Sequence, residues 1–385
     1  MENGAASMSA SDRGWAIVGN AGCRRVEAWK AALARHRVVP SHVSYEDLLA
    51  DNPLPMTAGC RVRLESAAEN PRTYRMLLKL GYAQACQNPY PAIEPDQVDA
   101  LPCERGLLHA PRQAHWGFER LLASAGALRL GPCHYLNQGR DIALQYDKTA
   151  TLSHLRQNGL PVPEFADEAT GYESIRERFR SRGRVMVKWR HGSGGAGCIA
   201  IHWSAKGTRA FATVSEEIKD GKSRLYAAKK PRYLRDETEI AHLVNRLACE
   251  GLHAEAWLPK ARDQGHNFDL RIVTIAGKAT HAVARGSPHT FTNLNLGNRR
   301  LDLQPIITKL GARWSQILEL AQKAAACFPE SYTLGIDILV HADLQKWVVL
   351  EVNAFGNQLH GITNAQGLNT YEAAVDSLMT EPVRP

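Results

Sequence analysis

The chain has 385 residues, of which 44% are hydrophobic and 22% charged, a composition typical of a globular protein with two or three domains. No apolar run approaches the ~18 residues of a membrane span, and none of the eight cysteines forms the C-x-x-C pair of zinc and redox sites. We expect a cytoplasmic protein with reduced thiols and no membrane partner, preceded by a disordered start over residues 1–13.

Positive charge is concentrated in one part of the chain. Between Arg176 and Arg235 there are 16 Lys and Arg residues against 4 Asp and Glu, a local excess of +12 in a chain whose net charge is +8. Such a block indicates contact with an anion, for example a phosphate or an anionic substrate. A solvated basic face is the alternative for residues 219–235. No nucleic-acid motif accompanies the charge, so no specific nucleic-acid partner is expected.

The first elements predict a small α/β domain over residues 14–87. Strands are predicted at Trp15–Val18 and Arg61–Leu64, with a helix over residues 24–37 between them. A further helix over residues 74–80 is predicted to end at Gly81. Residues 88–144 begin with several prolines and are interpreted as a proline-rich linker and helical connection.

A glycine-rich turn lies between two predicted strands of the next region. One strand ends at Lys188, the turn follows from His191 to Gly197, and the next strand begins at Cys198. Glycines let backbone N–H groups approach phosphate oxygens, and Lys188 would add a positive charge at the base of the loop. An ordinary turn is the alternative. Lys148, which opens a helix 40 residues upstream, favours phosphate binding.

Later segments add candidate nucleotide and substrate contacts. The segment Glu255-Ala256-Trp257-Leu258 can line an adenine ring, with an ordinary buried strand as the alternative. A predicted hairpin brings Arg271 and Arg285 to one end of a sheet, where guanidinium groups would bind a carboxylate or a phosphate. The alternative is that Arg271 pairs with Asp269 or another nearby carboxylate. The polar loop with Asn293 and Asn295 is predicted to orient a phosphate or a substrate.

Three oxygen-bearing side chains near the end of the chain predict a magnesium site. Asp337 lies in one apolar strand, and Glu351 and Asn353 lie two apart in the next, on one face. Hard oxygen donors of this kind suit Mg²⁺, which binds through a few carboxylates and substrate phosphates. The alternative is a pair of polar strands at the rim of a sheet.

Taken in order, these motifs resemble the ATP-grasp superfamily over about residues 145–380. The nearest branch by these motifs holds ribosomal-protein glutamate ligases, lysine-biosynthesis ligases and glutathione synthetases. The resemblance implies an α/β ATP-grasp fold behind an N-terminal pre-ATP-grasp domain, with lobe one at residues 145–254 and lobe two, with the metal site, at 255–385. The chain departs from the pattern at Lys188-Trp189, where Lys-Pro is usual, and after Asn353, where a proline-containing turn is usual.

The resemblance also implies the ligands and the roles of the site residues. ATP and one or two Mg²⁺ ions are expected, with Mn²⁺ as an alternative ion. Catalytic roles fall to Arg271, Arg285 and Lys188, and metal binding to Asp337, Glu351 and Asn353. ATP binding falls to Lys148, Lys188, Gly192, Ser193, Gly194, Gly195, Ala196, Gly197, Glu255, Ala256, Trp257 and Leu258. Substrate contacts are assigned to Arg285, Asn293, Asn295 and Gly356.

The expected reaction is ligation through an acyl phosphate. A substrate carboxylate attacks ATP, ADP leaves, and an amine then forms the amide bond. The expected substrates are amino acids or peptides, and homo-oligomerisation is left open. Three alternatives remain: a ligase that forms an ester or crosslinks a peptide, a kinase that phosphorylates a hydroxyl on the same fold, and a nucleotide-binding module without turnover.

Overall fold

A computed structural model of the chain describes residues 14–50, 59–127, 133–219, 221–355 and 359–380, without the side chains of residues 124–127 and 229. The expected disordered start over residues 1–13 lies outside these ranges, and so does Gly356. Within these ranges, no helix is both long enough and apolar enough to cross a membrane.

The described residues form three sheets and eleven α-helices. The strands are β1 Trp15–Val18, β2 Ser41–Val43, β3 Arg61–Leu64, β4 Leu107–Leu108, β5 His134–Tyr135, β6 Arg184–Trp189, β7 Cys198–Ser204, β8 Gly207–Lys219, β9 Lys222–Leu234, β10 Leu252–Ala256, β11 Arg262–Asp263, β12 His266–Ile275, β13 Lys278–Ser287, β14 Arg299–Leu301, β15 Thr333–Val340 and β16 Trp347–Asn353. The helices are α1 Arg24–Ala34, α2 Tyr45–Leu49, α3 Pro71–Ala85, α4 Pro111–Ala127, α5 Gly139–Tyr146, α6 Lys148–Gln157, α7 Tyr172–Phe179, α8 Glu237–Ala248, α9 Leu303–Leu310, α10 Arg313–Ala326 and α11 Thr370–Thr380.

The N-terminal sheet is parallel, with the strand order β2-β1-β3-β5. Its last strand, β5, comes from the segment interpreted as a linker, and the same segment supplies α4, which packs Phe118 and Leu121 into the core of this sheet. Helix α4 and strand β5 therefore pack with the N-terminal sheet, whereas β4 of the same segment pairs with β9 of the second sheet. Residues 88–144 connect to the later lobes and also complete the first sheet.

Helix α3 does not end at Gly81, as the sequence predicted, but continues to Ala85. A Cβ atom at Gly81 would lie 1.9 Å from the carbonyl oxygen of Gln113, and one at Gly117 would lie 1.9 Å from the carbonyl oxygen of Leu77. The two glycines let α3 and α4 cross with their backbones in contact. Gly81 is thus a packing residue of a helix interior, which is why the rule that glycine ends a helix gave the wrong boundary here.

The second sheet has the strand order β10-β6-β7-β8-β9-β4 and is antiparallel. Alternation along β6 sends Val185 and Val187 into the core with helices α7 and α8, and Met186 and Lys188 to the opposite face. The glycine-rich turn joins β6 to β7, so strand, turn and strand form the predicted hairpin. The second sheet therefore presents Lys188 on a face that its own helices leave uncovered.

The third sheet has the strand order β14-β13-β12-β15-β16, with β11 paired to β12. Its buried face packs on α9 and α10, through Ile306 and Ile317 among others. Helix α6 packs here as well, through Leu152 and Leu155. The core thus groups α6, which the sequence placed in lobe one, with the third sheet.

The α/β fold class predicted from the sequence, with an N-terminal α/β unit ahead of two further sheets, is confirmed. An apolar cluster joins the second and third sheets: Met186, Cys198 and Ala200 from one contact Phe291 and Leu296 from the loop after β13. The polar faces of both sheets consequently meet in one cleft.

Candidate active site

Strand register brings the predicted metal ligands together. Asp337 lies directly opposite Glu351 across the β15–β16 pair, and Asn353 lies opposite Gly335, two residues before Asp337. Arg271 lies opposite Asp337 on the other side, across β12–β15. All four side chains therefore share one face of the third sheet.

Asp337 is held by two arginines of its own sheet. The guanidinium of Arg271 donates two hydrogen bonds to the carboxylate, one of them 2.7 Å from Nη2 to Oδ2. Arg285 donates to Oδ2 at 3.0 Å and, through Nε, to Asp269 Oδ1 at 2.8 Å. Arg271 is therefore paired with a nearby carboxylate, Asp337, which is the alternative that the sequence left open for it. Burial opposes the charged form of Arg285, but Asp269 and Asp337 outweigh it and raise its pKa.

Asp269 forms a second ion pair that the sequence analysis missed. Lys260 Nζ lies 2.9 Å from Asp269 Oδ2 and 2.5 Å from the hydroxyl of Thr292, which also donates to Asp269. Burial alone would raise the pKa of Asp269, but Arg285 and Lys260 lower it. The first partner, Arg285, lies directly opposite Asp269 in the β12–β13 hairpin, so hairpin pairing could have revealed it. The position of Lys260 depends on how the loop after β10 folds back, for which the sequence carries no signal.

Lys148 connects the predicted metal ligands to the glycine-rich loop. Its Nζ lies 2.9 Å from Glu351 Oε1 and 2.5 Å from the carbonyl oxygen of Gly192. Burial would raise the pKa of Glu351, but the charges of Lys148 and Lys188 lower it to about 2. Glu351 is therefore a carboxylate at neutral pH, with 31% of its side chain exposed.

Lys188, on strand β6 of the second sheet, is also paired with a buried carboxylate. Its Nζ lies 2.5 Å from Glu255 Oε1, and Glu255 Oε2 lies 3.0 Å from His253 Nε2. The other ring nitrogen of His253 lies 3.0 Å from the hydroxyl of Thr149. Burial disfavours the charged form of Lys188, yet Glu255 raises its pKa, and the same pairing lowers the pKa of Glu255 to about 2. His253 was missed, although its spacing of two from Glu255 places both on one face.

The glycine-rich loop contacts the loop that carries Asn293 and Asn295. A Cβ atom at Gly195, where φ is +80°, would lie 3.3 Å from Asn293 Nδ2, and one at Gly194 would lie 3.4 Å from Asn295 Nδ2. Thr213 donates a hydrogen bond of 2.6 Å to the carbonyl oxygen of Gly195. The loop is therefore in contact with the second lobe, and glycine is required where it is closest.

The segment predicted to line the adenine lies at the edge of the second sheet. The backbone N–H of Ala256 donates to the carbonyl of Glu164, so this group does not serve a purine edge in the structure. Trp257 packs against the apolar cluster between the sheets, with the guanidinium of Arg184 5.9 Å from its ring centre, and Leu258 packs against the core of the second sheet. Trp257 is thus the member of this segment that contacts the shared apolar wall.

The donor set is compatible with a hard divalent cation that also binds phosphate. Among the described residues, no group of three or more His, Cys, Asp and Glu side chains is arranged to hold a metal. Asp337 and Glu351 supply two carboxylates, and Asn353, whose Nδ2 donates to Gly335 at 3.2 Å, directs its amide to the same face. Two carboxylates with an amide oxygen, completed by phosphates, suit Mg²⁺. Binding requires Arg271 and Arg285 to share Asp337 or to release it.

The basic segment at residues 219–235 is only partly a free cationic surface. It belongs to β8 and β9, where Lys219 and Arg224 both pair with Glu104, at 2.9 and 2.7 Å, and Arg232 pairs with Glu239. Lys230 is exposed. Several charges counted in the sequence as available to an anion are therefore used inside the fold.

The fold and the site are those of the ATP-grasp class of protein. They combine two facing sheets, buried lysines, a glycine-rich hairpin loop and opposed carboxylates. The profile of the YheC/D-like ATP-grasp family matches residues 146–379, and the chain belongs to this family. No curated protein matches the chain. Enzymes of the ATP-grasp class use ATP and Mg²⁺.

Solved structures with this fold resemble the chain along nearly its whole length. ATP-grasp ligase PsnB complexed with minimal precursor, Mg and ADP is 14% identical, with 97% of this chain and 98% of that chain covered and a TM-score of 0.50. Macrocyclase MdnC from Microcystis aeruginosa MRC, bound with precursor peptide MdnA, is 12% identical, with 95% of this chain and 100% of that chain covered and a TM-score of 0.51. D-alanine–D-alanine ligase from Bacillus anthracis is 11% identical, with 95% of this chain and 96% of that chain covered and a TM-score of 0.51. At these identities the likeness shows the shared fold.

Proposed function

We propose that the protein is an ATP-dependent ligase that activates a substrate carboxylate as an acyl phosphate and joins it to an amine. The observation that carries the proposal is the double contact of Lys148, which binds both Glu351 and the carbonyl of Gly192. One ammonium group thereby links a candidate metal ligand to a loop suited to phosphate. The family assignment and the paired Lys188 support the same function.

The charge balance of the cleft favours an anionic nucleotide. Four described carboxylates, those of Glu255, Asp269, Asp337 and Glu351, face five cations: Lys148, Lys188, Lys260, Arg271 and Arg285. Each ammonium and guanidinium group has a carboxylate partner within the protein, so these side chains are held in place before the ligand arrives. Phosphate oxygens can replace those partners without ordering new side chains, which is preorganisation.

The reaction has two chemical steps, phosphoryl transfer and amide formation, in which the side chains of the cleft act. In the first, a carboxylate oxygen of the substrate bonds to the γ-phosphorus while the bond to the β-phosphate oxygen of ADP breaks. In the second, the amine nitrogen bonds to the acyl carbon, inorganic phosphate leaves and the nitrogen loses a proton. Lys148 and Lys188 hold the phosphates, and Arg271 and Arg285 offset the charge of the carboxylate and of the acyl phosphate.

Asp337, Glu351 and Asn353 would hold Mg²⁺, which when bound neutralises phosphate charge and polarises the transferred phosphoryl group. Closure of the glycine-rich loop against Asn293 and Asn295, which it already approaches, would protect an easily hydrolysed acyl phosphate from water. Structural neighbours solved in complex with precursor peptides favour a peptide substrate. Macrocyclase neighbours favour, as a second candidate, a ligase that joins two side chains of one peptide.

The test is an ADP-release assay with candidate amino acids and peptides, with and without hydroxylamine. We expect Mg²⁺-dependent ADP release and, with hydroxylamine, a hydroxamate of the substrate found by mass spectrometry. If a stable phosphoester forms and no hydroxamate is found, the protein is a kinase and not a ligase. Mass spectrometry of the product without hydroxylamine separates an intermolecular amide from a link within one peptide.

A further inference from the structure

A cavity of about 340 Å³ lies between the N-terminal unit and the glycine-rich loop. Tyr74 and Leu78 of α3, Phe118 of α4 and Leu101 of the connecting segment form an apolar wall, and Gly192 and Ser193 of the loop close one side. The volume falls within the range of about 300–1,000 Å³ that small-molecule sites occupy. The function proposed above assigns no role to this space.

The cavity shares the glycine-rich loop with the cleft between the sheets. Gly192, which lines the cavity, accepts the hydrogen bond of Lys148, and Lys148 contacts Glu351. A molecule in the cavity therefore touches the residue that is linked to the candidate metal ligand. This adjacency places the cavity beside the reacting groups and makes it suited to a substrate.

Two histidines give the cavity a polar end. The rings of His115 and His191 stack with centroids 3.7 Å apart and an interplanar angle of 14°, and both residues line the cavity. The Nδ1 atom of each is buried without a hydrogen-bond partner among the described residues. A buried polar atom without a partner is costly, so a ligand group that pairs with one of these rings would gain binding energy.

We propose that this cavity binds one of the two substrates to be joined, an amino acid or peptide residue with a large apolar side chain. The side chain would lie against Tyr74, Leu101 and Phe118, and a polar group of its backbone would pair with His115 or His191. The inference deepens the proposed ligase function and rests on it for the identity of the ligand as a substrate. It adds selection of a large apolar residue.

The probes are N-acetyl amino acid amides of phenylalanine, leucine, alanine and glutamate, titrated against the full chain by calorimetry. We expect the phenylalanine and leucine probes to bind at least about tenfold more tightly than the alanine and glutamate probes, because only they fill the apolar volume. Equal affinity across the four probes, or no binding up to their solubility, would overturn the proposal.

Variants connect the selectivity to the cavity. Leu101→Trp fills the space from a half-buried position, and we expect it to weaken phenylalanine binding at least about tenfold while a fluorescent ATP analogue binds as before. Val39→Trp adds similar bulk at a residue that is 92% exposed on the same N-terminal unit, and it should change neither. His115→Phe keeps the ring stack but removes both ring nitrogens, including the Nε2 that lies 3.4 Å from Glu119 Oε1, and it should weaken all probes by a similar factor.

The ADP-release assay separates a failure of this inference from a failure of the ligase function. Side-chain-selective binding that Leu101→Trp abolishes, without ADP release from any acid, would leave the cavity assignment standing and remove the ligase. ADP release that shows no preference for apolar substrates and does not respond to Leu101→Trp would leave the ligase and refute the cavity.

Discussion

Asp337 and Glu351 lie opposite each other on adjacent strands, but their cations come from different elements. Arg271 approaches Asp337 along the same sheet, whereas Lys148 approaches Glu351 from helix α6 and also contacts Gly192 in the loop of the second sheet. Asp337 is consequently part of the rigid sheet. Glu351, with 31% of its side chain exposed, is the carboxylate whose partner also contacts the loop.

Glu351→Gln tests the role of this carboxylate. The substitution keeps the side-chain shape and removes the charge, so we expect Mg²⁺-dependent ADP formation to fall by about 10²-fold or more. The chain should still fold, with a moderate loss of stability because Lys148 loses its carboxylate partner. Glu319→Gln, at an exposed i,i+4 pair with Lys323, is the matched control and should leave the rate unchanged. Near-normal turnover of Glu351→Gln would refute the metal assignment.

Arg285→Ala should destabilise the fold because Arg285 bridges two buried carboxylates. Its loss leaves Asp269 with Lys260 and Asp337 with Arg271, so the cost should stay below the ~3–5 kcal/mol seen when a buried charge loses its only partner. Urea unfolding measures the change, with Arg299→Ala on the neighbouring strand as control. In single-turnover kinetics on the folded fraction, the chemical step should fall more than ATP affinity. A pure affinity defect would contradict the role proposed for Arg285.

Gly81→Ala tests the contact of α3 with α4. Alanine is the better helix former by about 1 kcal/mol. We nevertheless expect the free energy of unfolding to fall by about 1–3 kcal/mol, the usual cost of overpacking a tight contact. The reason is that the added Cβ meets a backbone carbonyl, which cannot move aside as a side chain can. Ala83→Gly, exposed two residues away, should lose only about 1 kcal/mol. A stabilised Gly81→Ala variant would show that the helices do not cross so closely.

The parts of the site that the sequence could reveal are those set by strand periodicity. Two-residue spacing placed Glu351 with Asn353, and the hairpin around Lys188 followed from its glycines. The ion pairs between elements could not be derived this way. Lys260 reaches Asp269, nine positions further along the chain, only because the segment between them folds back, and Glu104 reaches Lys219 across 115 residues of chain. Gly81 was misread because a helix stop and a helix crossing use the same residue, and only the partner helix distinguishes them.

Stability should fall in acid through Glu255. The pKa of this buried carboxylate is lowered from its ordinary 4.5 to about 2, so its contribution is present above pH 4.5 and is lost as the pH falls from about 4.5 to about 2. The shift corresponds to about 3 kcal/mol. Urea unfolding of wild type and Glu255→Gln at pH 6 and pH 3.5 measures it. The difference between the two proteins should shrink at the lower pH, and a constant difference would contradict the pairing with Lys188.

Glu104 joins the N-terminal unit to the long β8–β9 hairpin. Its carboxylate accepts from Lys219, Arg224 and the hydroxyl of Tyr226, and these three donors together lower its pKa, while strand β4 pairs with β9 beside it. We expect Glu104→Gln to leave the backbone pairing in place but to speed amide hydrogen exchange in residues 222–228 several-fold, because the charge-assisted contacts that hold the strand are gone.

Salt provides an independent check of the same contact. Because Glu104 is partly exposed, raising the ionic strength should bring wild-type exchange in the hairpin towards that of Glu104→Gln. Glu217→Gln, exposed on the same hairpin, is the control and should exchange as wild type at every salt concentration. If Glu104→Gln exchanges as wild type, the backbone pairing of β4 with β9 alone holds the hairpin.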